Sequence, residues 1–164
     1  MPYKIIYDLA TQPAVTWRSV ALAIGLALAA LICANSVRPG FGRNGLLAFS
    51  GIFVLVSVGL PLFDHYQLSH KTPEVVTGLV SAYWEKEWTT RKGGKNQRHS
   101  YEAFRVDSIS FGYFRHVQMA AFTNTDPTKF PVRNGLAVRI HYLPERQLDD
   151  GTLTNRILKL EVAE

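Results

Sequence analysis

The sequence predicts an α+β membrane protein: a two-helix transmembrane hairpin followed by a small five-stranded β-barrel of the OB or SH3 type. Ser19 to Val37 and Asn44 to Phe63 contain no charged residue. Each holds roughly 20 residues, and a helix of that length, rising about 1.5 Å per residue, just crosses the ~30 Å hydrocarbon core of a bilayer. From Glu74 onward apolar residues recur at every second position instead, the period of a strand whose side chains alternate between two faces.

Charge divides the chain at the same place. Met1 to Thr72 carries five Lys/Arg and two Asp/Glu, whereas Pro73 to Glu164 carries thirteen and eleven. Residues 1–72 therefore form the N-terminal segment and membrane hairpin, and residues 73–164 one soluble domain long enough for a single modest core. The net charge of +5 divides as +3 and +2, too small an excess to point to nucleic acid.

Met1 to Arg18 reads as a weakly basic leader containing Asp8. A secretory signal has an apolar core of about 7 to 15 residues, shorter than the first apolar stretch, so that stretch reads as a retained helix. Cys33 is the single cysteine, which excludes an intrachain disulfide. Ile32 stands before it where lipoprotein processing requires a small side chain. Arg38-Pro39-Gly40 and Gly42-Arg43 form the turn between helices at residues 19–37 and 44–63. Pro61 removes a backbone donor and Asp64 follows, so the second helix is expected to end or kink there. Trp17 and Tyr66 are placed as interface anchors.

Lipid gives helices no hydrophobic reason to associate, so contact is expected at small residues. Ala21, Gly25, Ala29 and Cys33 recur every fourth position on the first helix, and Gly51 and Gly59 share a face of the second. Neither stretch has the internal ionisable residues that proton relays and ion paths use, so the hairpin reads as an anchor. The alternative is a homo-oligomeric channel or transport-accessory subunit with a pore lined by Ser50 and Ser57. Lys4, Arg18 and Lys71 on the terminal side outnumber Arg38 and Arg43 in the link, which by the positive-inside rule favours a cytoplasmic soluble domain.

In the soluble part, Val76, Gly78, Val80, Ala82 and Trp84 alternate with Val75, Thr77, Leu79, Ser81 and Tyr83 in one long strand. Both faces are apolar, as where a strand bends across a barrel, and Gly78 is where bending is easiest. Arg91 to Ser100, with Gly93-Gly94 among charges, reads as a hairpin loop. Tyr101 to Val106, Ile109 to Phe114, Leu136 to Leu143 and Arg156 to Val162 complete five strands. Asp107-Ser108, Asn134-Gly135 and Asp149-Asp150-Gly151 supply turns, Pro144 closes the fourth strand, and a segment with Asp126-Pro127 and Phe130-Pro131 is irregular. Closing such a sheet into a barrel removes its edges.

Two apolar helices, a Gly-containing long strand, Tyr-x-x-Phe-x-Val (Tyr101, Phe104, Val106) and Gly-x-x-Val-x-Ile-x-Tyr-x-Pro (Gly135, Val138, Ile140, Tyr142, Pro144) follow in that order. In this the chain resembles bacterial membrane proteins of the domain-of-unknown-function 3592 class. The resemblance implies a multi-pass protein of the bacterial inner membrane with a tethered β domain, and nothing about catalysis.

The five histidines, His65, His70, His99, His116 and His141, are scattered, whereas a metal site needs three or more converging ligands. No nucleophile elbow, phosphate loop or dinucleotide fingerprint occurs. Glu85 and Glu87, and Asp149-Asp150, read as solvated surface without a pocket to separate their pKa values. The prediction is a non-enzymatic protein without a cofactor. The sharpest local feature is Arg91, Lys92, Lys95, Arg98 and His99 beside Tyr83, Trp84 and Trp88. This combination suits anionic lipid heads, an acidic protein, or single strands stacked on aromatics, against a plain solvated hairpin. The expected partners are the bilayer and another membrane or envelope component.

Overall fold

The computed structural model describes residues 2–36, 38–115, 119–124, 130–144 and 155–164. Met1–Thr11 joins Lys71–Glu164 in one unit, and Gln12–His70 forms the other. The helical unit is thus inserted in sequence into the β unit, and the predicted leader, Met1 to Arg18, is divided: Met1–Thr11 belongs to the β unit and its remainder to the helical one.

In the helical unit, α1 spans Trp17–Ser36, and a second rod runs through α2 (Phe41–Val54), a π-helical turn (Leu55–Gly59) and α3 (Leu60–Ser69). Both rods, of 20 and 29 residues, are long and apolar enough to cross a bilayer. The second does not end at Pro61 as predicted. The Leu60 N–H bonds the Leu55 carbonyl, five residues back, and this extra residue accommodates a proline ring that would otherwise collide with the preceding turn. Trp17 and Tyr66 are both exposed.

The predicted small-residue contact is displaced. Ala21, Gly25, Ala29, Cys33 and Gly51 are exposed, and a Cβ on Gly25 or Gly51 would meet no atom within 4 Å. A Cβ on Gly59 would touch only Leu55 of its own helix. The buried positions of α1 are Ala23, Ala30 and Ala34, with Ala27 half-buried between them. A strict four-residue repeat drifts about 40° around the helix at each step, whereas alternating four and three holds one line. Ser50 and Ser57 are half-buried in phase with Leu46, Leu47, Phe53 and Val54.

The β unit has six strands: β1 (Tyr3–Asp8), β2 (Glu74–Lys92), β3 (Lys95–Val106), β4 (Ile109–Phe114), β5 (Ala137–Leu143) and β6 (Arg156–Ala163). They form one antiparallel sheet in the order β1-β6-β5-β2-β3-β4. The sheet is open, not the predicted closed five-stranded barrel. The outer edge of β6, which would have to close on β4, is occupied by β1 from the supposed leader.

One long strand nevertheless bends the sheet around a common core. Glu74 to Leu79 of β2 pair with β5, and Val80 to Lys92 with β3. A bulge, the irregularity that bends a strand, lies between Ser81 and Trp84, where Ala82 takes a φ of 48°. A left-handed alanine costs about 1 to 2 kcal/mol, and the Asn134-Gly135 turn compensates. Gly135 N–H donates to Val80 O at 2.8 Å, Val80 N–H to Leu136 O at 2.8 Å, and Tyr83 N–H to Asn134 Oδ1 at 2.8 Å. Gly78 stays in register opposite Val138, and a Cβ there would stand 3.2 Å from Val106 Cγ1.

Both halves of the sheet contribute to a core that includes Phe104, Phe111, Val138, Ile140, Tyr142, Ile157 and Leu160. Phe111 of β4 meets Tyr142 of β5 edge-on at 5.4 Å. Phe122 fills the core between Tyr113 and Tyr7, at 5.4 and 5.6 Å. The two-residue turn at Asp107-Ser108 forms as predicted, with Asp107 alone at positive φ. Asp126-Pro127, His116 and Asp149-Asp150-Gly151 lie outside the described residues.

Candidate functional site

The predicted loop from Arg91 to Ser100 is ladder. Only Gly93 and Gly94 turn the chain, at φ of 59° and 77°, the pair of positive values that a tight hairpin turn demands. Trp88 to Lys92 pair with Lys95 to His99 in five rungs, and among the described residues no third strand joins them. The result is a two-stranded arm, about 17 Å of ribbon at ~3.4 Å per residue, projecting from the sheet.

Register sorts the arm and its base into two unlike faces. Trp84, Lys86, Trp88, Thr90 and Lys92 alternate with Glu85, Glu87, Thr89 and Arg91, and their partners on β3 follow suit. The first face therefore carries Lys95, Gln97, His99 and Tyr101, and the second Asn96, Arg98, Ser100 and Glu102. The four predicted basic residues are split, with Lys92 and Lys95 on one face and Arg91 and Arg98 on the other. The predicted aromatic group is split too: Trp84 and Trp88 share a face, and Tyr83 lies on the opposite one, turned inward.

Along the first face the aromatic rings form a continuous series. Trp84 is 5.4 Å from Tyr101, Tyr101 5.0 Å from Phe114, and Phe114 6.0 Å from Trp88. His99 stacks on Trp88 at 5.3 Å and pairs through Nε2 with Thr90 Oγ1 at 2.8 Å. Lys86 Nζ stands 5.8 Å from the Trp88 ring centre, close enough for cation–π attraction. Tyr101 lies across Gly112, where an added Cβ would fall 2.0 Å from its hydroxyl oxygen. Trp84 remains 48% and Phe114 38% exposed.

The second face is built around Glu102, which is fully buried. The sequence reasoning passed it over, although a carboxylate two and four residues before Phe104 and Val106 is in phase with the core. Tyr113 donates to its Oε2 at 2.7 Å and Asn124 Nδ2 at 3.0 Å. Tyr83 donates to its Oε1 at 3.2 Å and Arg115 Nε at 2.6 Å, with a second, shorter contact from Arg115 Nη2. Arg115 also reaches Glu85 at 2.7 Å. Both carboxylate oxygens are thus engaged, which suits a clamp that fixes β2, β3, β4 and the Asn124 segment to one another better than it suits a base.

Proton affinities follow the same layout. Burial, with Glu102 and Glu85 adding to it, pushes the Tyr83 phenol from its ordinary value of 10.0 up to about 12. Burial and Glu102 raise Tyr113 further. On the sheet half formed by β5 and β6, the bond from Lys159 to Glu161 at 2.8 Å holds that carboxyl below its usual range, assisted by His141 and Arg139.

The described histidines do not converge. His99 belongs to the arm, His141 is 3.8 Å from Glu161, and His70 bonds Tyr66 O in the helical unit. Among the described residues no group of three or more His, Cys, Asp or Glu could hold a metal ion. No family model, no curated protein and no solved structure matches this chain.

Proposed function

We propose that this chain is an integral membrane protein whose helical hairpin anchors a small antiparallel β domain, and that the domain is a non-enzymatic interaction module engaging another membrane or envelope component through the β2–β3 arm. The arm carries this conclusion. A two-stranded ribbon is marginal in water, and this one exposes its ladder edges and, at its base, the Trp84 ring, with Trp88 only half-buried against Phe114. The two membrane-length helices, and the resemblance to tethered β-domain proteins of the bacterial inner membrane, support the anchoring role.

The insertion of the helical unit between β1 and β2 agrees with two crossings, because β1 and β6 pair directly and both ends of the hairpin must return to one sheet. We place that sheet on the cytoplasmic side, following the lysine and arginine balance. The channel alternative gains nothing from Ser50 and Ser57, which are half-buried in phase with the apolar residues of α2.

The test uses the full chain in its native membrane, with a photo-crosslinking residue at Asn96 on the arm, on the face opposite Lys92 and Lys95. The chain should resist alkaline carbonate extraction and give discrete crosslinks to a membrane component. Those crosslinks should persist when residues 12–70 are replaced by an unrelated two-span hairpin. Carbonate release would remove the anchoring role, and loss of crosslinks in the chimera would move the interaction to the helices.

A further inference from the structure

We propose that the aromatic and lysine face of the β2–β3 arm seats on an anionic bilayer surface, a docking that presupposes the membrane anchoring above. The sorting of charge by face carries the proposal. Lys86, Lys92 and Lys95 share their face with Trp84, Trp88, His99 and Tyr101, and the register puts no acidic residue of either strand there from Trp84 to Ala103. Glu85, Glu87 and Glu102 all fall on the opposite face, where Arg98 is bound to Glu87 at 2.5 Å and Arg115 to Glu85 and Glu102. One face is internally neutralised and the other is uniformly positive.

Charges that only discourage edge pairing need no such sorting. Lys92 and Lys95 are also direct cross-strand partners, a like-charge pair that disfavours a bare ribbon and that an anion between the two ammonium groups relieves. Indole rings settle at the headgroup level of a bilayer while neighbouring ammonium groups reach its phosphates, which matches the alternation Trp84, Lys86, Trp88. Gripping a nucleic-acid strand calls for a longer cationic track than three lysines supply. The links between the units, residues 12–16 and 70–73, are short, so an anchored chain holds the arm at high local concentration near its own membrane.

Attraction to an anionic leaflet corresponds to about fivefold in partitioning per lysine, so the three together shift the docked population about 100-fold. The full chain, with Cys33→Ala and Gln97→Cys labelled by an environment-sensitive fluorophore, is reconstituted into nanodiscs of phosphatidylcholine alone or with added phosphatidylglycerol. Asn96→Cys, on the opposite face, is the matched control. The label at 97 should shift to the blue only in the anionic discs, lose that shift at high salt, and lose it in the K86E/K92E/K95E chain, while the label at 96 stays unchanged. Equal emission at 97 in both discs, or an equal shift at 96, overturns the docking. So does a blue shift at 97 that needs an added acidic protein or single-stranded oligonucleotide. Failure of the chain to enter discs would overturn the anchoring instead, and a chain that enters with an unresponsive label overturns the docking alone.

Discussion

Replacing Glu102 separates the need for an acceptor from the need for a charge. In Glu102→Leu the apolar side chain fits a fully buried site, but the Tyr113 hydroxyl, the Asn124 amide and Arg115 Nε lose their partner together. Each orphaned buried donor costs about 1 to 3 kcal/mol. Arg115 keeps Glu85 at 2.7 Å, so its share is the smallest. After allowing for about 2 kcal/mol gained by burying leucine, a net loss of about 3 to 5 kcal/mol is expected. In Glu102→Gln the amide oxygen still serves Arg115 and Tyr83, the new NH2 can donate to the Tyr113 hydroxyl, and Asn124 can turn its oxygen inward. Only the charge assistance is lost, about 1 to 2 kcal/mol. For a domain of this size those losses lower the midpoint by roughly 4 to 16 °C for Gln and at least about 12 °C for Leu. Tryptophan fluorescence during thermal unfolding of the full chain in mild detergent, in a Trp17→Phe background, reports the β unit through Trp84 and Trp88. Adding Arg115→Met to Glu102→Leu should restore part of the loss. Equal destabilisation by Gln and Leu, or a Leu variant as stable as the parent, would refute the clamp.

Two further outcomes follow from the same region. Tyr83 is raised from 10.0 to about 12, so its neutral form is favoured by folding. The stability it contributes is complete below the unfolded value of 10.0 and is lost as pH rises through about 12. Tyr83→Phe should flatten that alkaline limb, and ultraviolet titration should show one fewer late-ionising phenol. Gly112→Ala drives a methyl into Tyr101, whose ring carbon Cζ would be 2.8 Å away, and should expel that ring from between Trp84 and Phe114. A loss of about 2 to 4 kcal/mol is expected by the same melting assay, recovered in part by Tyr101→Leu, and unchanged stability would show that the ring can move freely.

Much of the strand pattern was legible because it is local. Tyr101–Val106 and Ile109–Phe114 alternate as strands do, and the turns at Asp107-Ser108 and Asn134-Gly135 fall between apolar runs. Tyr3–Asp8 carried the same aromatic and β-branched signal, but its position ahead of an apolar stretch made it look like a leader. Its partner, β6, lies at the far end of the chain, a pairing that local periodicity does not encode. Glu102 was hidden for a related reason. Its phase with Phe104 and Val106 marks it as inward, yet Tyr83, the Tyr113 and Arg115 pair, and Asn124 come from three separate segments.

The sequence by itself determined two apolar helices of membrane length, an alternating second half and a basic, aromatic hairpin, because each is a property of residues close together in the chain. Tertiary structure alone decided that the sheet is open and six-stranded, that alanines out of the four-residue repeat make the helix contact, and that the hairpin's basic and aromatic residues divide between two faces. Each depends on long-range pairing, helical drift or ladder register, in which a shift of one residue turns every side chain to the other side.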